Sequence, residues 1–243
     1  MRRRIKMRTI RTAFILLVAA SIASLLSGSA RAAQNSVTDD VLQVRDYAGA
    51  KVYYVVLDKD RAPKLAGGNE YESVKELTDS SFATVGINAG AWDAEGKMDY
   101  TFRDGIWISD NGDAYVGDPL AMTKDGQLIA CGYDYVSKEY LEGLDPEWVV
   151  TGYNGVIYDY DGYNWDWDKK TDRSFIGQLK NGNYVVGVAT GGWTYYDMWN
   201  FGITTFGGDL RLLYNLDGGG SCGLVVNGKE VVTGRDVKTA IVF

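Results

Sequence analysis

Near its carboxyl end the chain runs LRLLYNL straight into one carboxylate, three consecutive glycines and a serine: Asp217, Gly218, Gly219, Gly220 and Ser221. Glycines leave the main chain bare, so N–H groups can converge on an anion and a ligand can approach the backbone closely. A carboxylate at the end of an apolar strand is held rigidly beside such a cradle. A glycine-rich hairpin turn is the ordinary use of these residues. Three glycines exceed what a hairpin needs, however, and the run before them is too apolar for an edge strand. The stretch reads as an anion site with an acid beside it.

Two further stretches carry candidate groups. GINAGAWD, residues 86–93, ends an apolar strand in Asn88, passes Gly90 and presents Trp92 and Asp93. Alone it is an ordinary strand-to-turn junction. TDRSFIGQLKNGNYVV, residues 171–186, sets Arg173 directly before a strand, where a guanidinium can point across a sheet end. Such an arginine is usually a surface charge. In so acidic a chain, a positioned arginine is also the natural partner of a phosphate or carboxylate.

A fourth stretch, YDYDGYNWDWDKK at residues 158–170, could stack Tyr and Trp faces on a sugar while its acids bond hydroxyls. It reads equally as a solvated aromatic surface loop. Asp159, Asp161 and Asn164 are oxygen donors, but their spacing misses the twelve-residue calcium pattern. No metal and no cofactor is assigned.

Composition narrows the chemistry. The 243 residues include no histidine, which removes His-based triads, His general acids and His metal sites together. Residues 1–32 combine a basic start, the apolar run TAFILLVAASIASLL and small residues ending in Ala32. That is the layout of a secretory signal, with cleavage expected after Ala32 and a secreted or extracytoplasmic destination. An uncleaved anchor is the alternative, although the run is shorter than the ~20 residues that span a bilayer. The rest of the chain holds 18 basic against 32 acidic residues, a net charge of −14. Such a surface repels nucleic acid and anionic membrane, so neither is expected as a partner. Cys131 and Cys222 could form one disulfide in an exported chain or remain two buried thiols.

The elements that must position these groups are mostly strands. Residues 33–45 form a polar leader and residues 46–243 one domain. VRDYAGAKVYYVVLDKD alternates as a strand with a turn at Asp58-Lys59-Asp60, and Val74 and Leu77 share one side of a short helix. Hairpins are expected around DNGD, KDG, KNGN and the Asn-Gly of LVVNGKEVV. Met198, Trp199, Gly202, Ile203 and Phe206 mark one face of a helix that Gly207-Gly208 end, and TAIVF closes the chain as a strand. The pattern predicts an α+β fold: a single domain on a mostly antiparallel or mixed β-sheet with a few short helices.

Taken together these stretches resemble the phosphodiester glycosidase family, whose best-known member removes N-acetylglucosamine from a sugar phosphodiester and whose bacterial members are exported. The resemblance rests on Asn88-Ala89-Gly90-Ala91-Trp92, Arg173-Ser174-Phe175-Ile176-Gly177, the MWNFGITTF helix and Asn215-Leu216-Asp217-Gly218-Gly219-Gly220-Ser221, in that order. The tail GRDVKTAIVF adds an arginine just before the last strand. Ala89, Ala91 and Cys222 depart from the family pattern, at the sugar pocket and beside the glycines.

The resemblance implies cleavage between an anomeric carbon and a phosphate oxygen of a phosphate-linked carbohydrate. Asp217 would be nucleophile or general base, Arg173 with the amides of Gly218, Gly219 and Gly220 would clamp the phosphate, and Asn88 would orient hydroxyls or the carboxylate. Ser221 and Gly90 would line the substrate, and Asp93 would serve as a second carboxylate. A non-catalytic carbohydrate-binding or exopolysaccharide-assembly protein is the rival reading, and a metal-dependent phosphoesterase a third.

Overall fold

The apolar runs become antiparallel strands whose two faces are both covered, which is why so many read as continuous Val, Leu and Ile rather than as strict alternation. The computed structural model describes residues 40–112, 118–132, 136–152 and 168–243. The signal-like leader, the polar residues up to 39 and the aromatic stretch up to residue 167 lie outside the described residues.

Among the described residues, three five-stranded sheets replace the single sheet expected from the sequence. With strands numbered in chain order, the first sheet contains β1 (Gln43–Tyr47), β2 (Ala50–Leu57), β11 (Tyr184–Trp193), β10 (Thr171–Leu179) and β12 (Leu210–Asn215), in that spatial order. The second runs β14 (Lys229–Val232), β13 (Leu224–Val226), β4 (Gly86–Asn88), β15 (Val237–Val242) and β3 (Lys64–Glu72). The third runs β6 (Ile106–Ser109), β5 (Thr101–Arg103), β9 (Pro146–Thr151), β7 (Pro119–Thr123) and β8 (Leu128–Ala130). Every pairing among them is antiparallel. β1 takes up the last residues of the stretch read as leader.

Side-chain alternation sorts the core. Val55, Ile87, Leu120, Trp148, Ile176, Val186, Tyr214, Leu224 and Ile241 point into one cluster shared by all three sheets. Their neighbours point outward, and one short helix covers each outer face. Helix α1 (Val74–Ser80) packs Val74 and Leu77 with Val225, Ala240 and Val242 of the second sheet. Helix α2 (Lys138–Gly143) sets Leu141 among Ala121 and Val149 of the third. Helix α3 (Tyr195–Phe206) packs Met198 and Phe201 with Val52, Phe175, Val185 and Leu213 of the first. One sheet of fifteen strands would have only two faces to bury; folding it into three gives a central core and three small outer ones.

Local chemistry sets the boundaries. Ser73 with Glu76 and Thr194 with Asp197 close capping boxes at the starts of α1 and α3. Gly207 ends α3 at φ +55°. The buried face of α3 is Tyr195, Met198, Phe201 and Gly202, whereas Ile203, assigned to that face from its spacing, is exposed. The Asn227-Gly228 hairpin, with both φ positive, and the turns at Lys124–Gly126 and 180–183 form as expected. The turn at Asp58-Lys59-Asp60 also forms, closed by the Arg61 N–H on the Asp58 carbonyl at 3.0 Å. The stretch before it breaks into β1 and β2 at Ala48-Gly49, and β5 and β6 join at Asp104-Gly105, each pair having positive φ; the DNGD turn runs outside the described residues.

Cys131 lies in the outer cluster of the third sheet and Cys222 in the central one, and both are buried free thiols. Burial raises Cys131 to about 11 and Cys222 to about 12, which leaves both protonated and unreactive at neutral pH. Among the described residues no helix is long and apolar enough to cross a membrane.

Candidate active site

Strand β12 delivers the carboxylate to a seam between two sheets. Its pairing with β10 continues through the Leu216 N–H, which donates to the Ser174 carbonyl at 2.9 Å. The Asp217 N–H then crosses to the Ala89 carbonyl, at 3.1 Å, just beyond β4. The glycines follow where side chains will not fit. A Cβ on Gly218 would stand 2.9 Å from the Asp172 carbonyl oxygen, and Gly219 has φ +60° at the head of a 3-10 turn, Gly219–Ser221. The Ser221 and Cys222 N–H groups close that turn on the Gly218 and Gly219 carbonyls. Among the described residues, neither the Gly219 nor the Gly220 N–H has a protein acceptor. Two main-chain donors therefore remain available beside the acid.

Asn88 holds both ends of this turn. Its Nδ2 donates to the Asp217 carbonyl at 2.7 Å, and its Oδ1 accepts from the Gly223 N–H at 3.1 Å and from Ser174 Oγ at 2.7 Å. The Asn88 N–H also donates to the Gly223 carbonyl at 3.3 Å. The residue is fully buried, so it acts on the turn and not on a ligand in solvent. Only an amide supplies a donor and a two-lone-pair acceptor from one short side chain.

Asp217 is buried, and its Oδ1 accepts from the Gly218 N–H at 2.9 Å. Its Oδ2 accepts no hydrogen bond of ordinary length and stands 3.9 Å from Arg235 Nη2. Burial pushes the carboxyl above the usual aspartate range, while the nearby Ser221 hydroxyl, Arg235 and the Gly218 amide pull it back.

Arg235 was noted in the sequence only as part of the tail. Its N–H donates to the Gly220 carbonyl at 2.7 Å and its Nε to Ser221 Oγ at 2.9 Å. Its guanidinium lies 4.7 Å from the centre of the Trp92 ring. Gly234 lets the chain pass this close, because a Cβ there would meet the Ser221 and Cys222 carbonyls within 2.8 Å. Trp92 in turn packs its ring against Tyr71 at 5.5 Å, and Lys238 Nζ lies 4.9 Å from the Tyr71 ring centre. A lone arginine in a polar loop looks like surface charge; the available signal was the glycine before it and its place at the head of the last strand.

Arg173 is placed differently from the expectation of an open clamp. It is buried on the α3 side of β10, donating from Nε to the Trp193 carbonyl at 3.3 Å and from Nη2 to the Lys169 carbonyl at 2.9 Å. Its guanidinium lies 4.0 Å from the Tyr195 ring centre, and the Tyr195 hydroxyl accepts from Asn215 Nδ2 at 3.1 Å. Gly90 is buried with its N–H on Thr239 Oγ1 at 3.1 Å. Asp93 Oδ1 accepts from the Glu95 and Lys97 N–H groups, both at 2.8 Å, and closes the turn after Trp92. Among the described residues no three His, Cys, Asp or Glu side chains converge as a metal-binding group.

Without an imidazole, acid–base work at this turn falls to carboxylates, and the main-chain amides and Arg235 supply fixed positive charge beside Asp217. The family model for phosphodiester glycosidases matches residues 81–243, and the chain belongs to that family of hydrolases. Among solved structures, the catalytic domain of zebrafish N-acetylglucosamine-1-phosphodiester alpha-N-acetylglucosaminidase, auto-inhibited by its pro-peptide, is similar with a TM-score of 0.70 at 16% identity, covering 87% of this chain and 84% of that one. A hypothetical protein from Synechocystis is similar with a TM-score of 0.58 at 12% identity, covering 83% of this chain and 61% of that one. At these identities the likeness concerns the fold. No curated protein sequence matches the chain.

Proposed function

We propose that this hydrolase cleaves the sugar–phosphate bond of sugar-1-phosphodiesters outside the cytoplasm, on phosphate-containing extracellular or cell-wall glycans. One observation carries the reading. Among the described residues, a buried acid whose Oδ2 accepts no hydrogen bond sits next to two main-chain N–H groups without a protein acceptor. The acid suits the anomeric carbon and the amides suit the departing phosphoryl oxygens.

In this reading the bond between the anomeric carbon and the phosphate oxygen breaks, and its electron pair leaves on the phosphate. Asp217 serves the sugar, either by attacking the anomeric carbon or by taking the proton of an attacking water. Charge on the phosphate is met by Gly219 and Gly220. Asn88 and Ser221 act through the groups they hold, and Arg173 adds positive charge from behind the site. The basic-apolar leader supports the export reading, and the net charge of −14 after Ala32 suits a polyhydroxylated rather than a nucleic-acid partner.

Incubating the protein in H2(18)O with a nucleotide diester of α-N-acetylglucosamine-1-phosphate tests this. Label in the released sugar supports carbon–oxygen cleavage. Label in the phosphate overturns it in favour of a phosphoesterase. Glycan binding with no turnover across a panel of sugar phosphodiesters would support the rival carbohydrate-binding or exopolysaccharide-assembly reading.

A further inference from the structure

The geometry points to Arg235, and not Arg173, as the side chain that grips the substrate's phosphoryl group, with Trp92 holding it in place. This inference rests on the proposed phosphodiester cleavage. Two arginines flank the glycine turn, and they differ in what they have left to offer. Arg173 is 3% exposed, lies on the α3 side of β10, and has given Nε and Nη2 to main-chain carbonyls. Its flat face is taken by Tyr195. An anion could reach it only by displacing buried partners.

Arg235 has the opposite balance. Its side chain is 58% exposed, and only Nε is bonded, to Ser221 Oγ. Neither Nη donates a hydrogen bond within the described residues, so the fork that matches two phosphate oxygens stays open. The gap of 3.9 Å to Asp217 Oδ2 is too long for a hydrogen bond and short enough for the charges to feel each other. Its own N–H is spent on the Gly220 carbonyl, and its Cδ lies 3.8 Å from where a Cβ on Gly220 would stand, so the side chain leaves the main chain beside the glycine turn. In this inference the Gly219 and Gly220 N–H groups and the fork act as one donor set, with the acid at its edge.

Trp92 explains how a half-exposed arginine stays ready. The ring lies 4.7 Å from the guanidinium, and Tyr71 packs against the same ring. A stacked guanidinium loses little freedom on binding, because its plane is already set. Trp92 is thus a positioning residue for Arg235.

The test compares the full protein with Arg235→Ala, Arg235→Lys, Trp92→Ala and, as a control for charge, Arg45→Ala on exposed β1. Removing one preorganised donor predicts a fall in kcat/KM of about 100- to 1000-fold for Arg235→Ala. Millimolar guanidinium should restore part of it, as it would not if the arginine were merely structural. Lysine, a point charge without a fork, should recover only part of the activity. Trp92→Ala should fall between, and Arg45→Ala should match the parent. A second readout is the acid limb of the pH profile. Arg235 favours ionised Asp217, so its loss should move that limb to higher pH. Calorimetric binding of α-N-acetylglucosamine-1-phosphate, at least tenfold weaker in Arg235→Ala, applies even to a protein that turns over no diester. Parent-like kcat/KM and parent-like sugar-phosphate affinity in folded Arg235→Ala would overturn the inference. A parent that binds through Arg235 but labels phosphate from H2(18)O would leave the grip intact and defeat the cleavage reading instead.

Discussion

Asp217 is a charged group kept where charge is unwelcome. Its carboxyl is raised by burial, so the native state holds its proton more tightly than the unfolded chain does. The sign follows: with the folded value above the unfolded one, stability is greatest below the unfolded value and declines as pH climbs through the folded one. In the role proposed for Asp217 activity runs the other way, because an attacking or proton-accepting carboxylate must be ionised. Asp217→Asn should therefore abolish turnover yet raise stability at neutral pH by about 1 kcal/mol, the trade expected when an active site is held at a cost to the fold. Differential scanning calorimetry of the two proteins at pH 7 checks this, and the stabilisation should shrink toward pH 4. The acid limb of the parent's pH profile should lie above the ordinary aspartate range.

At the scale of elements, the site is a junction rather than a loop. The end of β12, the end of β4 and the middle of β10 meet at Asn88, whose amide joins Asp217, Gly223 and Ser174. Asn88→Ala would leave the buried Asp217 carbonyl and the Gly223 N–H without this partner and take one partner from Ser174 Oγ. Each such group costs about 1–3 kcal/mol, and because they share one contact the total expected is about 3 kcal/mol. The turn would lose its grip on both ends, so kcat should fall much more than KM rises. Denaturant unfolding and steady-state kinetics read the two effects separately. Asn88→Asp should keep the acceptor and lose the donor to the Asp217 carbonyl, and so fall short of the parent in both measurements.

For the molecule as a whole, stability comes from one central core and three outer ones, with no disulfide joining them. Cys131 and Cys222 lie in different clusters, and their thiols are held protonated by burial. Both should resist a thiol reagent in the native protein and react together once it is denatured. The unfolding midpoint should be the same with and without reductant, which thermal scans would measure directly. A chain of this charge also needs its positive groups placed locally, and the contacts Arg235–Trp92–Tyr71–Lys238 hold two of them on aromatic rings.

Much of this was legible from local pattern. Strand after strand of apolar residues, the Asn-Gly turn, the helix around Phe201 and the acid with its three glycines are each set by neighbours in the chain, where dihedral preference and side-chain alternation act. The number of sheets was not, since short antiparallel strands alternate in the same way whether they join one sheet or three. Nor were the surroundings of the two arginines. A guanidinium's task depends on which carbonyls, rings and amides surround it, and for Arg235 those are Gly220, Ser221 and the distant Trp92. The sequence by itself determined the strands, the bare turn and the acid, because those follow from short-range sterics and hydrophobicity. Only the tertiary structure decided that Asn88 faces inward, that Arg173 is buried against main-chain carbonyls and that Arg235 stays exposed, because burial and hydrogen-bond partners exist only once remote segments have packed together.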